Sequence, residues 1–295
     1  MANEGSAMDL GIGLPNTTPG TTGEQMTDWA RAADEAGFSS LGTIDRIVYP
    51  NYEPLTALSA AAAVTERIRL ATTVMLGPLR MNATLVAKQA LSIDALAGGG
   101  RFVLGIAIGG REDDYEVSGV SMSERGAWLD SALEQIRRIW NGEGENEAKI
   151  GPRPEGAGPS LILGGTVDAS LERAARHGDG WIMGGGSPDD FGGFAEKLTA
   201  AWEKQGREGE PRKMALGYFS LGDDAEANAE RYLLDYYAWL GEEVSGMIAS
   251  SAAKDSGTVE GYMSAFEGAG CDELILFPCS SDPAQVGLLA EAAGL

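Results

Sequence analysis

Between Thr65 and Tyr115 two short apolar runs, each entered through an arginine, flank one helical pattern. Residues 67–74 read as a strand, 85–96 as a helix, Gly98-Gly99-Gly100 as its stop, and 102–108 as a second strand. A strand, a crossover helix and a further strand make a parallel βαβ unit. Both strands run into Gly-rich and polar loops, and parallel sheets place their chemistry at those ends. This segment constrains the fold more tightly than any other.

The same alternation continues to the end of the chain. Strand patterns fall at 9–13, 38–43, 161–163, 180–183, 213–220 and 273–277. Helical patterns fall at 23–36, 54–64, 123–140, 167–176, 188–205 and 282–293, with a long helical stretch over 223–268 that breaks near Gly241 and Gly257. Eight β units, each followed by a helix, favour a closed α/β architecture, the (β/α)8 TIM barrel, over an open sheet. A single barrel domain spanning 1–295 suits 295 residues. The Gly-, Pro- and Glu-rich stretch 141–159 reads as an irregular surface connection inside that domain.

A formal net charge of −22 makes nucleic-acid and membrane-surface roles improbable, since such a surface repels phosphate backbones and anionic headgroups. The acidity itself reads as solubility. The two cysteines, Cys271 and Cys279, straddle one strand; extended chain puts them roughly 25 Å apart, too far for a disulfide. Reduced thiols point to a cytoplasmic protein. With one histidine, His177, and two separated cysteines, no N/S metal site can be assembled. His177 sits at a helix C-terminus, where a cation would complement the dipole. The first ten residues lack a basic start and an apolar run, so they do not read as a signal peptide. No apolar stretch reaches the ~20 residues that span a bilayer.

The strand ends carry a resemblance. Gly11-Ile12-Gly13-Leu14-Pro15, Ala32-Ala33-Asp34-Glu35-Ala36-Gly37-Phe38 and Thr65-Glu66-Arg67-Ile68-Arg69-Leu70 come first. Ala87-Lys88-Gln89, Ile93-Asp94-Ala95-Leu96 and Gly99-Gly100-Arg101-Phe102 follow, then Leu163-Gly164-Gly165 and Gly178-Asp179-Gly180-Trp181. In this order and spacing the chain resembles the luciferase-like monooxygenase superfamily, flavin- or deazaflavin-dependent oxidoreductases on a (β/α)8 barrel.

The resemblance implies a cofactor site at the barrel mouth. Its ring would lie against a bulge at Thr72-Thr73-Val74 that often holds a cis peptide in relatives. Its phosphate would sit at Gly164-Gly165-Thr166 and at Gly184-Gly185, where glycine lets backbone N–H groups approach an anion and each loop opens a helix. Asp45-Arg46 departs from the Asp-His that many relatives carry. A guanidinium is no general base near neutral pH, but it binds anions or stabilises negative charge on a reduced flavin; the plain alternative is an ion pair with Asp45 or a neighbouring acid. Asp45, Arg46, Arg111 and Asp113 are thus the candidate catalytic residues. Asn16, Arg80 and Asn82 are candidates for contact with substrate.

Three functional readings follow. The first is a monooxygenase or related oxidoreductase acting on a small molecule with reduced FMN, supplied by a flavin reductase. The second is a dehydrogenase transferring hydride with the deazaflavin coenzyme F420. The third is a cofactor-free binding protein on a degenerate barrel, against which the intact glycine loops argue. Deazaflavin users often add Lys or Arg near the phosphate loops; 164–188 contains Arg173 and Arg176 but no lysine, which tilts the reading towards FMN. A homodimer or higher homo-oligomer is the expectation carried over from relatives.

Overall fold

A computed structural model describes residues 8–153 and 158–295. Parallel strands β1 (Asp9–Gly13), β2 (Ser40–Thr43), β3 (Arg69–Thr72), β4 (Met75–Leu76), β5 (Phe102–Ala107), β6 (Ser160–Gly164), β7 (Gly180–Met183), β8 (Arg212–Phe219) and β9 (Glu273–Pro278) form one sheet. Pairing of β3 with β5, at Leu70 opposite Phe102, closes that sheet into a barrel. β3 and β4 are two pieces of one stave, so the barrel has the eight staves that the alternation predicts. The stave breaks at Thr73 and Val74, whose peptide bond is cis. Residues 67–74 therefore do not form one continuous strand.

Local chemistry sets the boundaries. Thr22 and Gln25 form a reciprocal capping box at the start of helix Gly23–Ala36, and Gly37 ends it in the left-handed region. Met26, Trp29, Ala30 and Ala33 recur at helical spacing and are all buried against the barrel. Asp34, at the end of this helix, takes the N–H groups of Glu66 and Ile68 at 2.8 and 2.7 Å. Asp94 takes the N–H of Phe102 at 2.9 Å and so starts β5. Arg101 donates to the carbonyls of Ala97 and Ile68, both at 2.7 Å. These motif residues are braces of the N-terminal face.

The apolar core has two parts. One lies between the staves and the surrounding helices. The other fills the barrel, with Ile162, Ile182, Met214, Ile275 and Phe277, and continues upward into Tyr218, Tyr232 and Tyr236. Phe277 plugs the interior so tightly that a Cβ at Gly42 would lie 2.9 Å from its ring. It forms a floor beneath the mouth.

At the opposite end an ion network joins four staves. The Glu273 carboxylate is 1% exposed and accepts from Arg69 at 3.2 Å and Arg212 at 2.9 Å. Asp9 bridges the same two arginines at 2.7 and 2.8 Å, and Ser39 donates to Glu273 at 2.5 Å.

Some expectations change. The charge run after β5 forms a short helix, Glu112–Ser118, with Asp114 and Tyr115 buried. His177 does end its helix, Asp168–His177, but burial followed by Arg176 holds its imidazole below the ordinary value. Cations at that helix end are Arg176, in its last turn, and Arg137, which donates to the His177 carbonyl at 2.9 and 3.0 Å. Cys271 and Cys279 are free and buried. The connection over 141–159 includes a short turn at Glu147–Lys149, while 154–157 and the first seven residues lie outside the described part. No described helix is long and apolar enough to cross a membrane. Among the described residues no group of His, Cys, Asp and Glu could hold a metal.

Candidate active site

The strand C-termini open onto a cavity of about 410 Å³. Small-molecule pockets run from about 300 to 1,000 Å³. Thr73 and Val74 form one wall, Ala107 to Gly110 a second, and Gly164 to Val167, Ile182, Gly184 and Gly185 the rest. The stave break, both glycine loops and the loop after β5 thus meet at one place. Of the residues expected to hold a cofactor, Thr73, Val74, Gly164, Gly165, Thr166, Gly184 and Gly185 line it. Thr72 lies just below, buried, with its hydroxyl donating to the Gly105 carbonyl at 2.7 Å.

The glycine side is built from backbone. Gly165 has φ +127°, a region L side chains rarely adopt, and a Cβ there would sit 2.5 Å from Ser170 Oγ. The Trp181 indole donates to the Gly165 carbonyl at 2.6 Å. Because carbonyl and N–H oppose each other across a planar trans peptide, this turns the Thr166 N–H the other way. Helix Asp168–His177 starts right after this loop, and no side chain caps its N-terminus. Its free N–H groups and positive dipole end suit an anion. Gly184 is different: its backbone is ordinary, and a Cβ there would meet nothing within 4 Å.

Across the mouth lies a charged and aromatic rim. Asp45 and Arg46 are neighbours in sequence but face different partners. Asp45 Oδ2 accepts from Leu76 N at 2.8 Å and from Arg80 at 2.6 Å, so it braces β4 just beyond the break. Burial pushes its carboxyl above the ordinary value, against the pull of Arg80. Arg46 pairs with Asp113 at 3.2 Å, so of the two acids open to it in an ion pair, Asp45 or another nearby, it takes the second. The Arg46 guanidinium lies 4.8 Å from the Tyr49 ring and 5.4 Å from that of Tyr236. Arg111 donates to the Tyr236 carbonyl at 2.9 Å, at the end of helix Ala225–Tyr236.

The residues expected to touch substrate are occupied elsewhere. Asn16 uses its amide on the Ile44 and Tyr52 carbonyls, at 2.8 and 3.1 Å, and on the Ile44 N–H. It pins the loop after β2. Asn82 caps helix Ala83–Leu96 by accepting from Leu85 N. Arg80 is held by Asp45 and, at 3.3 Å, by Glu53.

The sequence reading missed several residues. Asp114 accepts from Ile47 N and Val48 N at 3.0 and 2.7 Å, tying the loop after β2 to that after β5. Ser170 and Trp181 shape the glycine side. Tyr218 and Tyr237 share a hydroxyl hydrogen bond of 2.7 Å, and Tyr232 meets Thr17 at 2.6 Å. Burial pushes all these phenols, and that of Tyr236, above their ordinary value. They stay protonated near neutral pH and act as neutral hydrogen-bonding groups. A usable signal existed: Tyr232 and Tyr236 stand four residues apart, on one side of a helix.

Comparison with known proteins agrees with this geometry. Residues 8–287 match the family described as luciferase-like monooxygenase. An uncharacterized protein of Mycobacterium tuberculosis is 35% identical over 221 residues, 62% of this chain and 75% of that one. The pyrimidine monooxygenase RutA of Cronobacter sakazakii is 27% identical over 223 residues, 70% of this chain and 64% of RutA. Among solved structures, an F420-dependent secondary alcohol dehydrogenase in complex with an F420-acetone adduct superposes with a TM-score of 0.82. That match is 15% identical and covers 97% of this chain and 98% of the other, so it concerns the fold.

Proposed function

We propose a flavin-dependent oxidation, of the monooxygenase kind and run on reduced FMN, for this chain, which belongs to the luciferase-like monooxygenase family. The observation that carries the cofactor reading is the cavity wall of Gly164, Gly165 and Thr166 leading into a helix end that no side chain caps. A single phosphate fits that chemistry. Backbone N–H groups of the two glycine loops would hold it, and Val74, Ala107, Ile108 and Ile182 would shield the ring from water. Reduced FMN, when bound, supplies the electrons for the oxidation. A separate flavin reductase delivers it in this reading, and the protein works as a homo-oligomer.

Charge near the loops favours FMN over F420. The two helices that open from the glycine loops begin with Asp168 and with Asp189 and Asp190. Arg173 is spent on Asp130 at 2.7 Å, and Lys197 on Asp168 at 3.2 Å. A long acidic tail would meet carboxylates here. RutA, a monooxygenase by name, points the same way as regards reaction type.

The chain's own groups then divide the work. Asp45 and Arg80 hold β4 and so fix the wall at Thr73 and Val74. Asp113 holds Arg46 at the rim. Substrate contact falls to Arg111 and the neighbouring Arg46; Asn16 pins the loop after β2, Asn82 caps a helix, and Arg80 is paired with two carboxylates, Asp45 and Glu53. Titrating the apo protein with oxidised FMN, reduced FMN and F420 tests the assignment. Reduced FMN is expected to bind most tightly and F420 least. Tightest binding of F420 would replace monooxygenation by hydride transfer; no binding of any would leave a cofactor-free binding protein.

A further inference from the structure

One charge at the mouth is explained by neither the barrel nor the cofactor cradle. Arg111 is 8% exposed. One terminal nitrogen donates to the Tyr236 carbonyl at 2.9 Å, while Nη1 is buried and has no partner in the protein. Among the described residues no carboxylate lies within ion-pairing distance of it. Asp114 is the carboxylate whose charge it feels; Asp114 Oδ1 is taken by the Ile47 and Val48 N–H groups and Oδ2 is buried with no hydrogen-bond partner, so Asp114 attracts Arg111 without pairing with it. Arg46, over the same Tyr236 ring, adds a second positive charge, and its partner Asp113 is 45% exposed. A guanidinium does not deprotonate in a protein, so this charge persists. A buried charge that lacks an ion-pair partner is costly.

The surroundings limit the shape of an anion that could pair with Arg111. The Arg111 guanidinium lies 4.5 Å from the ring of Trp239 and 5.0 Å from that of Tyr236. Trp239 is 47% exposed, and Ile47 and Val48, pinned by Asp114, are 37% and 41% exposed. Gly109 and Gly110, immediately before Arg111, line the cavity. We propose that Arg111, seconded by Arg46, anchors the carboxylate of the substrate, and that the substrate is a small organic acid with an apolar or planar body. The planar fork of arginine matches a carboxylate in two parallel hydrogen bonds. The body of the acid lies along Trp239 and the exposed edge of the loop after β2, with its far end towards the cavity. The inference rests on the mouth being the active site.

Benzoate and 3-phenylpropionate, each against its neutral amide, provide the test. The protein, with and without FMN, is titrated at constant ionic strength and followed by tryptophan fluorescence and thermal midpoint. Both acids are expected to bind saturably and their amides about tenfold or more weakly, because a site built for one polar group rejects the analogue lacking it. Arg111→Gln should abolish the preference for acid over amide. Equal binding of acid and amide, or no binding of either, overturns the inference. So does an acid preference that survives Arg111→Gln. Inorganic phosphate is a further arm: tighter binding than either acid, with competition against FMN, would give Arg111 to the cofactor phosphate instead. Should Arg111→Gln fail to fold, the wild-type comparison of acid with amide and the variant Arg46→Gln decide. FMN binding without acid preference sinks this inference alone; acid preference without FMN binding sinks only the cofactor reading.

Discussion

Gly184→Val is expected to weaken FMN binding about 10- to 100-fold while leaving the apo protein as stable as before. Charge-assisted hydrogen bonds are worth ~1.5–3 kcal/mol each, and ~1.4 kcal/mol is a factor of ten. Gly184 lines the cavity, its backbone is ordinary, and a Cβ there meets no protein atom within 4 Å. A side chain at this position therefore begins in open cavity space, where a bound cofactor would lie. Gly165→Val is the weaker experiment. There φ is +127° and a Cβ would press on Ser170 Oγ at 2.5 Å, so lost affinity would be mixed with a distorted loop. Equilibrium titration with reduced and oxidised FMN, beside apo thermal midpoints, makes the measurement. Unchanged affinity in a folded Gly184→Val protein would mean that the phosphate lies elsewhere.

The barrel was legible because βα alternation is a local signal repeated along the whole chain. The family was legible for a related reason. Asp34, Asp94 and Arg101, in the motifs that carry the resemblance, are braces that join one βα unit to the next. Such residues report the scaffold and say little about substrate. The glycine loops, each by itself no more than a turn signal, were picked out by recurring on consecutive strands, and both line the cavity.

The rim was not legible, and the reasons are physical. Asp45 and Arg46 sit side by side in irregular chain after β2, where no periodicity says which way either side chain turns. One turned to Arg80 and the other to Asp113, 67 residues away. A run such as Arg111 to Tyr115 looks solvated by composition, yet Asp114 is buried because it holds two backbone N–H groups of another loop. Helix Ala225–Tyr236 reads as helix, but nothing in its periodicity says that its last carbonyl receives Arg111. Long-range pairings of this kind set the specificity of the mouth.

The largest stability effect is expected at the far end of the barrel. Glu273→Ala removes a carboxylate 1% exposed that holds Arg69, Arg212 and Ser39, and with them β3, β8 and the entry to β2. Breaking a buried ion pair by removing one partner costs about 3–5 kcal/mol. The lower end applies, because Arg69 and Arg212 are 32% and 34% exposed and Asp9 still bridges them. Glu273→Gln should cost less, since it keeps the shape and some of the hydrogen bonds. The pH dependence separates charge from shape. Burial alone would raise the Glu273 carboxyl, but Arg69 and Arg212 hold it below the ordinary value, and the same arginines lower Asp9 despite its partial burial. A lowered native value means that the unfolded chain takes up protons first on acidification. The stabilisation is therefore complete above the ordinary carboxylate range, near ~4.3 for glutamate, and fades as pH falls through the lower native values. Thermal midpoints from neutral pH down to about pH 3 should fall less steeply in Glu273→Gln than in the wild type. Parallel profiles in the two proteins would show that the network closes the barrel by shape and hydrogen bonding, with no net contribution from its charge.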